Sequence, residues 1–290
     1  MPWIPRGLRE GIVTSRYPRR PDGYADGFSG TLVVHAPEHT APEVREAIEV
    51  CPTSAIAHEA GRVRLDRGRC ILCGRCTVTS PDVFRFDEDV EVSSTARQSL
   101  VVPDLEENDE SIDTTRAELH RRVRALRRSI HIRHLDAGSD GSEEWEVAAL
   151  TNPVYDVQRL GIYFTASPKH ADVLLVTGVG ALGMLEPLRH TYEVMPHPKV
   201  VIAAGTDAIS GGLIGTGYAA SGGVGGVVPV DVFVPGSPPT PFGLLHGILT
   251  AVGLLGPAPA VVSMTGSRRD ADGPASPGDP PVEVGPGARA

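Results

Sequence analysis

The sequence predicts an α+β unit followed by an α/β unit whose sheet is mainly parallel. Three observations predict it. Short strand-like runs surround one helix and four cysteines in the first third of the chain. From about residue 130, runs rich in Val, Ile and Leu alternate with helix-compatible stretches, the pattern of a parallel sheet covered on both faces. The chain has 290 residues and 41% hydrophobic content, a prior for two domains with real cores.

The elements follow in chain order. In residues 1–100 the runs TLVVHA, RVRLD and VFRFD read as strands and APEVREAIEV as one short helix. Residues 101–128 read as a linker. PDLEENDESID is acidic and poor in apolar residues, and TTRAELHRRVRALRRS sets Leu119, Val123 and Leu126 on one face of an arginine-rich helix. Residues 129–257 carry the strand-like runs IHIRHL, ADVLLVTG, KVVIAAG and VDVFVPG, with helical stretches such as MLEPLRHTYEVM between them. Residues 258–290, rich in Pro, Gly, Ala and Ser, bury too little apolar surface to order themselves and read as a disordered tail.

Charge and cysteine usage exclude several classes. With 36 acidic against 27 basic residues the net charge is −9, which argues against a nucleic-acid partner, since phosphate binding needs clustered Lys and Arg. Only 4 cysteines are present, too few for a disulfide scaffold. The N-terminal residues lack the uninterrupted apolar stretch of a signal peptide, so a cytoplasmic protein is expected. The longest apolar region, PFGLLHGILTAVGLLG, is shorter than the roughly 20 residues that span a bilayer. Membrane contact is expected to be peripheral, on the inner face of the membrane and through partner subunits.

The cysteines are metal ligands by their spacing. CILCGRC places Cys70, Cys73 and Cys76 in C-x2-C-x2-C, and Cys51 is followed by Pro52. Bacterial ferredoxins use C-x2-C-x2-C-x3-C-P runs, in which the last Cys of one run ligates the cluster held by the first three of the other. Counting back from Cys51 gives Ala47, Val44 and Ala41, and counting forward from Cys76 gives Ser80 and then Pro81. One ligand set is therefore gone and the other complete. A single 4Fe-4S cluster on Cys51, Cys70, Cys73 and Cys76 is expected, with a structural zinc site as the competing reading. Ala41, Val44 and Ala47, at i, i+3 and i+6, suit the buried face of a helix in place of the lost metal.

GIVTSRYPRR, followed by this two-cluster frame, resembles the polyferredoxin-like subunit of membrane-bound nickel–iron hydrogenases, formate hydrogenlyases and respiratory complex I, the NADH-quinone oxidoreductase. HLDAGSDGSEEWE, YDVQRLGIYFTASPKHADVLLVTG, EPLRHTYEVMPHPKVVIAAGTDAISGG and VPVDVFVPGSPPTP resemble the small-subunit family that those hydrogenases share with complex I. The resemblance covers about residues 8 to 255. It implies a ferredoxin-like α+β domain joined to a hydrogenase small-subunit-like α/β domain. In that family four cysteines hold a terminal 4Fe-4S cluster; the matching positions here are Asp140, Ser142, Asp207 and Ser237. That cluster cannot form in the usual way.

These four oxygen-bearing residues differ from the apolar replacements at the first lost site. They are expected either to converge on a polar pocket holding a proton, water or a hard cation, or to be satisfied separately by local backbone donors. Glu143 and Arg159 also match family positions; a surface ion pair is the expected role of each, with proton handling or holding the partner as the alternative. Gly178, Gly180 and Gly183 make a G-x-G-x-x-G after a strand, but an isolated match is a poor argument for a nicotinamide nucleotide. The glycine-rich run 211–227 lacks a Walker lysine and reads as a loop, which in the family faces the large subunit. His131, His134, His170, His190 and His197 share no metal-ligand spacing.

The resemblance implies an iron–sulfur electron-transfer subunit of an oxidoreductase, with no complete catalytic centre of its own. Its expected partners are a hydrogenase-like or complex I-like large subunit, integral membrane subunits and a ferredoxin-type electron donor. The alternative is an assembly scaffold in a degenerate hydrogenase-like complex, with a cluster that transfers no electrons.

Overall fold

A computed structural model describes residues 3–20, 23–28, 30–35, 40–59, 61–103, 114, 117–119, 121 and 129–256. The expected tail lies outside the described residues, as does most of the expected linker, although Leu119 is among them and is buried.

The described residues begin with α1 (Trp3–Glu10). The α+β part is built on two small antiparallel sheets. In one, β1 (Thr31–Val34) pairs with β4 (Phe84–Asp87). In the other, β3 (Arg62–Asp66) lies between β2 (Ile56–Glu59) and β5 (Val101–Val102). Helix α2 (Ala41–Val50) spans the segment expected to be helical and buries Val44 and Ala47, at 0% exposure, among Leu32, Leu65 and Phe84. These two positions, where the lost ligands would stand, now carry apolar packing. The side chain of Ala41 lies outside the described residues.

The α/β part is a five-stranded sheet in the order β10–β9–β8–β6–β7, every pair parallel. Its strands are β6 (Ile130–Asp136), β7 (Ile162–Phe164), β8 (Val173–Thr177), β9 (Val200–Ala204) and β10 (Val232–Val234). All residues of β8 and β9 are buried. Alternation divides them between two cores: Val173, Leu175, Val200 and Ile202 face one side, Leu174, Val176, Val201 and Ala203 the other. A continuous Val/Ile/Leu run satisfies both faces at once, so these strands show no polar alternation.

Each face has its helices. Helices α4 (Ser142–Ala149) and α7 (Pro241–Ala251) contribute to the first core, and α5 (Leu182–Val194) and the short α6 (Thr206–Ser210) to the second. The longest apolar region of the sequence thus forms a core helix: every residue of α7 is buried. Phe242 makes T-shaped contacts with Tyr17, Phe28 and Tyr155 at centroid distances of 5.6, 6.1 and 5.1 Å.

The two parts touch through residues 90–94. Ser94 exchanges backbone hydrogen bonds with Phe233 on β10 (2.9 and 2.8 Å), and Val90 enters the α/β core. Buried His246 joins the same segment to α7. Its Nε2 donates to the Gly256 carbonyl at 3.0 Å, which leaves Nδ1 to accept from the Ser93 hydroxyl at 2.6 Å. Burial lowers its pKa, in keeping with that neutral form.

Candidate metal centre

Loop geometry delivers the cysteines to one place. At the end of β3 the Asp66 carboxylate accepts the Gly68 N–H at 2.9 Å and both guanidinium nitrogens of Arg97 at 2.9 and 2.7 Å. This bidentate pairing fixes the turn into Cys70. Leu72 (φ 54°) and Gly74 (φ 72°) are both left-handed, which folds the intervening segment back before Cys76 enters the short helix α3 (Arg75–Thr79). Cys51 arrives from the end of α2 and accepts the Ala55 N–H on its sulfur at 3.2 Å.

The four thiols line one pocket of about 330 Å³, mouth included, together with Leu32, Ala55, Ile56, Leu65 and Ile71. Cys70 and Cys76 are buried, Cys51 is half-buried and Cys73 is exposed at the mouth. Burial first, and the neighbouring thiols second, push Cys70 up to about 12 and Cys76 up to about 11, against lowering by nearby backbone N–H groups. Without a metal these groups hold their protons at neutral pH, and a metal must displace them. Among the described residues no three His, Cys, Asp or Glu side chains gather closely enough to hold a single metal ion. The donor set fits an iron–sulfur cage: four sulfurs around an apolar pocket, one already accepting a backbone N–H.

The pocket abuts the α/β part. Buried Thr206, the first residue of α6, donates its hydroxyl to the Cys70 carbonyl at 3.0 Å. The next residue is Asp207, one of the four positions matched to a terminal-cluster cysteine.

Those four positions do not behave alike. Asp140 is exposed; the Ser142 hydroxyl first, and then the Ser142 N–H that it accepts at 2.9 Å, lower its pKa. Asp207 is half-buried, and burial, then the charges of Asp140 and Glu144, raise its pKa. The two aspartates are therefore close enough to repel. Ser237 is half-buried in the loop that follows β10; the carbonyl of the preceding Gly236 accepts the Thr206 N–H at 2.7 Å, so this loop meets the start of α6.

The group between them is Glu143, and here the expected surface ion pair is wrong. Its side chain is buried at 1% exposure and accepts the Ser142 hydroxyl at 3.2 Å. Gly205 (φ 92°) packs so close that a Cβ there would stand 2.6 Å from Glu143 Oε1. Burial, together with the charges of Asp207 and Asp140, raises its pKa to about 7. Arg159 likewise forms no surface ion pair among the described residues; it donates to the Tyr17 carbonyl and ties the N-terminal segment to the sheet edge.

Two of the three motif glycines have packing roles. A Cβ on Gly178 would lie 2.5 Å from the Ser139 amide, and one on Gly180 2.2 Å from the Ser221 hydroxyl. They let the loops 138–139 and 220–223 close over the strand end. The glycine-rich run forms bends and short bridges and exposes Leu213 (64%), Ile214 (70%) and Tyr218 (97%).

Together, the four-thiol pocket and the fully parallel sheet define a ferredoxin-like part joined to an α/β part. The chain belongs to the family of the NADH ubiquinone oxidoreductase 20 kDa subunit, whose sequence profile matches residues 141–251. The profile of the 4Fe-4S single cluster domain matches residues 63–119, a span that includes Cys70, Cys73 and Cys76 but not Cys51.

Three relatives are each 39% identical. Formate hydrogenlyase subunit 7 of Escherichia coli aligns over 147 residues, 51% of this chain and 56% of that one. An uncharacterised protein of Methanocaldococcus jannaschii aligns over 142 residues, 49% of this chain and 91% of its own length. A probable membrane-bound hydrogenase subunit of Pyrococcus furiosus aligns over 125 residues, 43% of this chain and 75% of its own. The alignment with the E. coli protein thus spans little more than half of that relative's length.

Proposed function

We propose that the protein is a one-cluster electron-transfer subunit of a hydrogenase-like or complex I-like assembly. The observation that carries this reading is the convergence of Cys51 with Cys70, Cys73 and Cys76 on one pocket, with no cysteine elsewhere in the chain. Sulfurs arranged around a pocket suit the corners of a 4Fe-4S cage better than one tetrahedral zinc ion, which draws its ligands to about 2.3 Å. When bound, such a cluster supplies reversible one-electron transfer.

The residues around the pocket hold and shield that chemistry. Leu32, Ala55, Ile56 and Leu65 exclude water from the buried thiolates, Ala55 donates a backbone N–H to the Cys51 sulfur, and exposed Cys73 marks the face where a ferredoxin-type donor can approach. Thr206 holds Cys70 against the region of Glu143 and Asp207, so the cluster stands beside the place where the terminal cluster of the family would be. The exposed Leu213, Ile214 and Tyr218 suit an interface with a large subunit, and the relatives' names suggest membrane subunits beyond it.

Iron analysis of variants tests the ligand set. Cys73→Ser is expected to abolish the cluster, whereas Asp207→Ala leaves iron content unchanged. Loss of iron in Asp207→Ala would move a ligand into the α/β part and overturn the assignment. A cluster that forms but resists reduction would favour the scaffold reading.

A further inference from the structure

Helix α1 buries none of its residues, yet its sequence, WIPRGLRE, is strongly sided. Trp3 (81% exposed), Ile4 (54%) and Leu8 (81%) fall on one face, and Ile12 (92%) is exposed just past the helix end. Arg6, Arg9 and Glu10 fall on the other, with Arg6 Nε paired to Glu10 at 2.8 Å. An apolar face left in water is unfavourable, so its exposure points to a partner outside the chain.

The local charge indicates which partner. Residues 3–20 carry five arginines, Arg6, Arg9, Arg16, Arg19 and Arg20, against the single Glu10, a net charge of +4 in a chain whose total is −9. Arg16, Arg19 and Arg20 are exposed in the turn that follows the helix. A tryptophan and aliphatic residues on one face, with arginines on the other and beside it, suit the interface of an anionic bilayer. At eight residues α1 lies along a membrane rather than across it, and among the described residues no helix is long and apolar enough to cross one.

The segment after the helix is anchored. Thr14 donates its hydroxyl to the Pro153 carbonyl at 2.8 Å, the Ser15 N–H donates to the Val154 carbonyl at 2.8 Å, and Arg159 donates to the Tyr17 carbonyl. Anything bound by α1 is thereby held at the edge of the α/β part that carries Val154 and Arg159.

We infer that α1 is a membrane-surface anchor that inserts Trp3, Ile4, Leu8 and Ile12 into the headgroup region of an anionic lipid bilayer, with the arginines on the phosphates. This contact is direct rather than through partner subunits, and it is independent of the cluster reading.

Sedimentation of the full chain with vesicles tests it. Binding is expected to vesicles of phosphatidylcholine with phosphatidylglycerol, weakened by salt, and not to phosphatidylcholine alone. Leu8→Glu is expected to lower the vesicle-bound to free ratio about tenfold or more. Leu254→Glu, at another exposed apolar site, should leave the ratio unchanged. Because α1 buries nothing, Leu8→Glu should melt at the parental temperature. Failure of the parental chain to bind anionic vesicles, equal binding to neutral ones, or unchanged binding by Leu8→Glu would each overturn the inference.

Discussion

Glu143 shows how one buried carboxyl can make stability depend on pH. A glutamate of ordinary value 4.5 is raised to about 7 here by burial and by Asp207 and Asp140, so the folded chain holds a proton that the unfolded chain releases. Its contribution is fully present below the unfolded value and is lost as pH rises through the folded one. Glu143→Gln keeps the shape and removes the charge. It should therefore stabilise the fold by on the order of 2 kcal/mol near pH 8 and by almost nothing near pH 4, read from denaturant midpoints at the two pH values. An equal effect at both would mean that the carboxyl is not titrating in this environment. Sequence could not reveal this burial. A glutamate at the start of a helix reads as solvated, and only Gly205 and Asp207, some sixty residues further on, close over it. The cysteines were legible because their chemistry is encoded in short spacing and a following proline, which needs no tertiary context.

At the scale of elements, α7 fills the α/β core and the start of α6 meets the metal loop. Phe242 is 1% exposed and contacts three aromatic rings, so Phe242→Ala should destabilise the chain by about 3–5 kcal/mol, measured by denaturant unfolding. Thr206→Val removes the hydroxyl that the Cys70 carbonyl accepts and should cost about 1–3 kcal/mol without changing iron content. If instead the iron were lost, the joint between the two parts would be holding the metal loop itself. The strands β3, β6, β8 and β9 and helix α2 could be read from the sequence, because each carries a full period of apolar residues over its length. Others were not. β7 is three residues long, and α4 reverses the usual pattern by burying Glu143 and exposing Trp145. Helix α1 escaped notice because Pro5 and Gly7 mask its sidedness.

Across the whole molecule, sequence suggests two units in succession, and Ser94, Val90 and His246 join them so that the thiol pocket meets the α/β part directly. That contact depends on residues more than 130 positions apart, as with Cys70 and Thr206, and no local pattern announces it. In the proposed reading this contact sets the cysteine pocket beside the region of Asp207, and Val44 and Ala47 pack in the core of the α+β part. A frame built for several clusters would then carry one. The most direct test is iron and acid-labile sulfide analysis of anaerobically purified protein, with electron paramagnetic resonance after reduction. About four irons per chain and a single reducible 4Fe-4S signal are expected. About eight irons, one zinc ion in place of iron, or no metal at all would contradict a single cluster held by Cys51, Cys70, Cys73 and Cys76.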